Sequence, residues 1–311
     1  MRLRAANPLP WVARQGRWGL VAGLVAGLAL PGLAETLRPW LPHMVAGLLF
    51  FTGLRIGLRQ ALGVRQDLGE ASACVLILQL GLPLLALGLV HALDLAATPL
   101  GLVLVLAVSA PSISGAPNFA ALMGHDPAPA LRLLILGTAI FPLTVLPIFW
   151  LLPALGSASA ALFATSWLFL VIFGSIGLGF AARAAHGPLS EGQRTSLDGL
   201  TVILLAVIVV ALMSALGPAL TARPVELIGW MALAFTLNFG AQILARYVSR
   251  HRPNSTALGL VAGNRNLALF LVALPTELTD PLMIFIGCAQ LPMYLTPLVL
   301  ERLYRPAPVT Q

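Results

Sequence analysis

The sequence predicts an all-α polytopic membrane protein of ten transmembrane helices, arranged as two inverted five-helix repeats, with broken crossing helices in spans four and nine. Three observations carry that prediction. Of the 311 residues, 59% are apolar and only 9% charged, whereas a soluble domain is about half apolar and about a quarter charged. Apolar runs of about 17 or more residues, enough to cross about 30 Å of hydrocarbon, recur along the chain. Once ten spans are drawn, the basic residues fall almost entirely on one side of them. A transmembrane barrel is excluded, because its strands alternate apolar and polar and runs such as Thr201 to Val210 are apolar all round.

The first span, Arg17 to Leu33, follows a charged segment too long for a cleavable signal peptide, and its removal would leave an odd nine. Gly19, Gly23 and Gly27 form a small-residue stripe at i, i+4, i+8, which lets a neighbouring helix approach closely. Span two is Leu41 to Gln60. Span three, Ala71 to Leu93, carries Gln79. Span four, Pro99 to Gly124, is interrupted by Ser109-Ala-Pro-Ser-Ile-Ser-Gly-Ala-Pro-Asn118, where two prolines and a glycine prevent continuous helical bonding. Span five, Pro129 to Leu152, contains Arg132 near its start. Spans six to eight are Ala160 to Ala182, Leu200 to Leu216 and Val225 to Tyr247. Span nine, Ser255 to Leu274, holds a second polar interruption, Gly259-Leu-Val-Ala-Gly-Asn-Arg-Asn266, and span ten is Pro281 to Leu300.

The net charge is +7, and every one of the 18 basic residues is an arginine. Arg2, Arg4, Arg14, Arg17, Arg55, Arg59, Arg65, Arg183, Arg194, Arg246, Arg250, Arg252, Arg302 and Arg305 fall at one side of the spans, and only Arg38 and Arg223 at the other. Positive loops resist translocation, so both termini are expected in the cytoplasm. The same rule accounts for the basic balance without a nucleic-acid partner. Every carboxylate, Asp67 and Asp126 among them, and every histidine falls at or near a span end, so no side-chain proton relay is expected in the bilayer. Cys74 and Cys288 offer neither a disulfide framework nor a metal motif. With no paired carboxylates, HExxH or buried Ser/His/Asp set, the chain is not expected to be an enzyme, and no cofactor is expected.

Five being odd, the second set of spans (residues 156–311) must run opposite to the first (residues 1–155). Such inverted repeats place the substrate site near the midplane, in discontinuous helices at corresponding positions. The two interruptions each occupy the fourth span of a half. Their polar groups, Ser112, Ser114, Asn118, Asn264, Arg265 and Asn266, are therefore the candidate substrate-binding residues. Free N–H groups and unwound carbonyls of a broken helix attract charge of opposite sign, and each asparagine offers an acceptor and two donors.

These features resemble the bile acid:sodium symporter family, including its bacterial organic-anion members: the ten spans, the break from Ala110-Pro111 to Asn118 followed by Gly124-His-Asp126, the proline-bearing fifth span, and Gly263-Asn-Arg-Asn266. The resemblance implies a panel domain from spans 1, 2, 6 and 7 and a core domain from spans 3–5 and 8–10, with rocking of one against the other, in a bacterial inner (plasma) membrane. It also implies that Asn118 matches the family's fourth-span asparagine and Gln79 a third-span glutamine that helps bind sodium. Elsewhere the pattern departs. Gly259, Leu260 and Val261 stand where the family carries a glutamate, Arg265 replaces a glutamine, and Ala130 and Leu134 replace hydroxyl ligands, with Arg132 between them.

An arginine near the bilayer centre costs at least about 2.5–3.5 kcal/mol unless a partner or polar cavity compensates. Arg132 can snorkel toward the interface or pair with Asp126; Arg265 lies deeper. The expectation is a secondary transporter of a small organic anion, a carboxylate or sulfonate, in which Arg265 and Arg132 substitute for bound sodium. The alternatives are a sodium-coupled symporter with a degenerate site, and a non-transporting membrane sensor or channel. Membrane lipid is the other expected partner; the oligomeric state is left open.

Overall fold

The computed structural model describes residues 7–62 and 68–305; Arg2, Arg4, Arg65 and Asp67 lie outside the described residues. Among the described residues every regular element is helical, and the sole β-type pairing is an isolated bridge between Ser112 and Arg265. Seven helices are long and apolar enough to cross a membrane: Pro31–Arg59, Leu68–Ala92, Ala128–Leu151, Ala158–His186, Glu191–Ala222, Pro224–Val248 and Thr276–Val299. This is the build of an integral membrane protein. These helices overlie the expected spans two, three, five to eight and ten.

The other three expected spans hold shorter helices. The first is Gly16–Ala29, ended by Pro31, which opens the next helix as a first-turn proline. The fourth is divided into Pro99–Ser109 and Ala116–Leu122. The ninth is divided into Ser255–Gly263 and Phe270–Ala273, with a single 3-10 turn between them. Polar interruptions read from sequence therefore coincide with real losses of helical winding.

The chain forms two compact units, Met1–Gly63 with Leu170–Arg223, and Val64–Phe169 with Pro224–Gln311. In the first, the glycine stripe of Gly16–Ala29 lies against Glu191–Leu212. A β-carbon on Gly23 would stand 2.7 Å from the Ala206 carbonyl oxygen, and one on Gly27 would stand 2.6 Å from Met213 Cβ. Close backbone approach gives van der Waals contact where lipid supplies no hydrophobic drive between helices. Gly53 and Gly179 make a second such crossing: their added β-carbons would meet Ile176 O at 2.5 Å and Phe50 O at 2.4 Å. At the polar end of this unit Arg55 Nε pairs with Asp198 at 2.8 Å. Ser190 and Gln193 form a capping box, which starts the helix of the seventh expected span at Glu191, earlier than the apolar run suggests.

The second unit holds both interrupted helices. Phe141 and Phe149, both fully buried on the Ala128–Leu151 helix, meet Phe270 at ring-centroid distances of 5.7 and 6.1 Å. They seat the short helix beyond the second interruption by aromatic packing. Tyr304, in the terminal turn Glu301–Tyr304, is also fully buried, and His125 hydrogen-bonds its carbonyl.

Candidate functional site

The first interruption begins where sequence dictates. Ala110 precedes Pro111, and proline disfavours the helical conformation of the residue before it; Ala110 accordingly has φ −59° and ψ 147°. The second break has no proline. Asn264 leaves the helix at φ −90°, ψ 88°, and its Nδ2 donates to the Leu260 carbonyl at 3.0 Å. This is the competition between a short polar side chain and the backbone that weakens helices.

The two breaks satisfy each other. The Ile113 amide donates to the Asn264 carbonyl at 3.0 Å, and the Asn266 amide to the Pro111 carbonyl at 2.8 Å. These bonds build the Ser112–Arg265 bridge and give the unwound backbone partners in place of its lost helical bonds. Carbonyls at the C-terminal ends of both half-helices still need donors, and they carry the negative end of the helix dipole. Arg265 meets them. Its Nε donates to Ala262 O at 2.8 Å and its Nη1 to Ala110 O at 2.9 Å.

A third carbonyl comes from the third expected span. Ile77–Gly81 is a π-helical turn within an otherwise α-helical segment, and such turns free carbonyls and recur at functional sites. Arg265 Nη2 donates to Leu78 O at 3.4 Å. The adjacent Gln79 is buried, and its Oε1 accepts from Thr144 Oγ1 at 3.3 Å. Gly137 makes room for it, since a β-carbon there would stand 2.5 Å from Gln79 Nε2.

Among the remaining sequence-predicted residues, Ser112 is buried and donates to the Ile113 carbonyl at 3.3 Å. Ser114 and Asn266 are half-buried, while Asn118 is exposed on the Ala116–Leu122 helix. Arg132 lies apart from the crossing, in a small recess that it lines with Glu70, Cys74 and Asn254. Glu70 there also pairs with Arg252 at 3.2 Å.

A buried polar network beside the crossing escaped the sequence reading. Asn238 Nδ2 donates to Gly263 O at 2.9 Å and to Asn264 Oδ1 at 3.3 Å. Gln242 Nε2 donates to Asn238 Oδ1 at 2.7 Å and to Thr296 Oγ1 at 2.9 Å. Tyr304 OH donates to Gln242 Oε1 at 3.0 Å, and Thr296 Oγ1 reaches Asn264 Oδ1 at 3.3 Å. A signal for it was present: Asn238, Gln242 and Arg246 recur every fourth residue, one polar stripe on an otherwise apolar helix.

Next to this network, a small cavity of about 40 Å³ is lined by Arg265, Asn238, Gln290, Leu237, Phe285 and Met293, among others. The crossing thus combines a fixed cation, saturated amides and an apolar hollow. No model of a known protein family matches the chain, and no curated protein matches it.

Proposed function

We propose that this chain is a secondary transporter of an organic anion, a carboxylate or sulfonate, working by alternating access. On this reading it is a relative of the bile acid:sodium symporters in the inner membrane of a bacterium, with both termini cytoplasmic. The single observation that carries the proposal is the pairing of two interrupted helices around a guanidinium. A stretch of unwound backbone at membrane depth is tolerated where it lines a polar cavity, and transporters place substrate at such points. The matching positions of the breaks support the inverted repeat, and the division of the chain into Met1–Gly63 with Leu170–Arg223 and Val64–Phe169 with Pro224–Gln311 supports a panel and a core.

Arg265 takes the place of a bound cation. Three carbonyl oxygens, from Ala262, Ala110 and Leu78, converge on its guanidinium, much as carbonyls converge on a metal ion. A guanidinium keeps its proton and grips planar oxyanions with parallel hydrogen bonds. It therefore holds the crossing positive for an anion without a cotransported ion. The recess around Arg132, shared with Glu70, supports a local charge role for that residue rather than one at the crossing. Flux of organic anions into proteoliposomes, compared in sodium-containing and sodium-free buffer, tests the proposal. Equal rates in both are expected. A strict sodium requirement refutes the substitution, and binding without flux in either buffer selects a sensor instead.

A further inference from the structure

The terminal turn Glu301–Tyr304 reaches the crossing through a chain of hydrogen bonds whose direction is forced. The Gly263 carbonyl only accepts, so Asn238 turns Nδ2 toward it, at 2.9 Å. The Asn238 amide oxygen then faces Gln242, which must present Nε2 to it, at 2.7 Å. Gln242 Oε1 is left on the far side of its amide, a buried acceptor met by the Tyr304 hydroxyl at 3.0 Å. Gly259 makes room for that contact, since a β-carbon there would stand 2.6 Å from the hydroxyl oxygen. The main chain of the same tyrosine ties the first interruption. Gly124 has φ 78°, and the His125 amide donates back to Ala120 O at 2.9 Å, a cap that closes the half-helix Ala116–Leu122. From that cap the His125 ring donates through Nε2 to the Tyr304 carbonyl. Leu300 and Tyr304 share one apolar cluster with Ala116 and Ala120 of the first half-helix and Leu258 and Leu260 of the second.

We infer that Tyr304 is a positioning residue for the crossing, and that the terminal turn straps together the half-helices Ala116–Leu122 and Ser255–Gly263. Its hydroxyl acts through Gln242 and Asn238 on the side chain of Asn264, whose carbonyl in turn holds the Ile113 amide of the other break. Withdrawal of the turn leaves Gln242 Oε1 buried without a donor and releases both half-helices at once. The end of the chain thereby controls how firmly the two breaks are held. The inference rests on the reading of the crossing as the working site, and it adds an element remote in sequence that sets the geometry there.

The test is amide hydrogen exchange read by mass spectrometry on the purified full-length protein in detergent, with no ligand added. Tyr304→Phe keeps the ring and the main-chain carbonyl and deletes only the hydroxyl. It is expected to speed exchange about fivefold in peptides covering residues 110–118 and 258–268, the effect of one lost buried hydrogen bond, and to leave Glu191–Leu212 of the other unit unchanged. Gly259→Ala retains every polar group and is expected to act alike by displacing the hydroxyl. In a Gln242→Leu background Tyr304→Phe is expected to add nothing, because the hydroxyl has lost its acceptor there. Parent exchange at both breaks in both single variants overturns the inference. So does acceleration that extends equally to Glu191–Leu212, which marks a general loss of stability, and so does a full Tyr304→Phe effect without Gln242. Since no ligand takes part, a failure of anion flux in proteoliposomes sinks the transporter reading and leaves the strap standing, whereas parent-like exchange does the reverse.

Discussion

Arg265 Nη1 donates to the carbonyl of Ala110 at 2.9 Å across a sequence separation of 155 residues, closing the end of one half-helix with a side chain from the break in another. That contact joins the two interruptions as surely as the backbone bonds do. Because Ala110 is the last residue before Pro111, its carbonyl sits where the helical ladder stops, at the negative end of the dipole. A cation there is favoured on electrostatic grounds, and the chain supplies its own.

The buried network makes a prediction about stability. Gln242→Leu removes the shared partner of Asn238, Thr296 and Tyr304, leaving buried polar groups without donors or acceptors at a cost of about 1–3 kcal/mol each. A lower thermal midpoint in detergent is expected, together with weaker anion binding, because Asn238, which donates to Gly263 and Asn264, loses the donor that holds its own amide oxygen. Tyr304→Phe, which deletes one hydroxyl, is expected to have a smaller effect in the same direction.

Helix approach in the first unit makes another. Gly53→Ala places a β-carbon 2.5 Å from the Ile176 carbonyl and is expected to destabilise by about 1–3 kcal/mol through overpacking. Gly174→Ala, on the Ala158–His186 helix that carries Ile176, meets nothing within 4 Å and is expected to be neutral or to stabilise by up to about 1 kcal/mol, the helix-propensity difference. Thermal midpoints of the pair, measured side by side, check both signs.

Arg132 and Arg265 are expected to separate in function. Since Arg132 shares its recess with Glu70 and Asn254, Arg132→Gln is expected to retain anion affinity. A loss of affinity equal to that of Arg265→Ala would return Arg132 to the site.

Much of this fold was legible in the sequence because membrane helices must satisfy their backbones locally, so apolar runs and their breakers report directly on winding. Pro111 and the glycine-flanked Asn264-Arg-Asn266 marked the breaks in that way, and the glycine stripe at Gly19, Gly23 and Gly27 marked a packing face. The partners of Arg265 were not legible. They are main-chain carbonyls, which every residue carries, and the one on Leu78 depends on a π-helical turn that no residue type announces. Asn238 and Gln242 carry no functional signal of their own in the sequence, since single amides in an apolar helix usually serve packing. Their fourfold spacing with Arg246 acquires meaning only when Thr296 and Tyr304 arrive from the far end of the chain.

The most direct measurement is the affinity of a bound organic anion for Arg265→Ala and Arg265→Lys, in protein whose helical content matches the parent. The account predicts that alanine abolishes binding and that lysine, a point charge without the planar fork, keeps part of it. Parent affinity in both variants would show that the guanidinium only ties carbonyls together, and the anion site at the crossing would have to be abandoned.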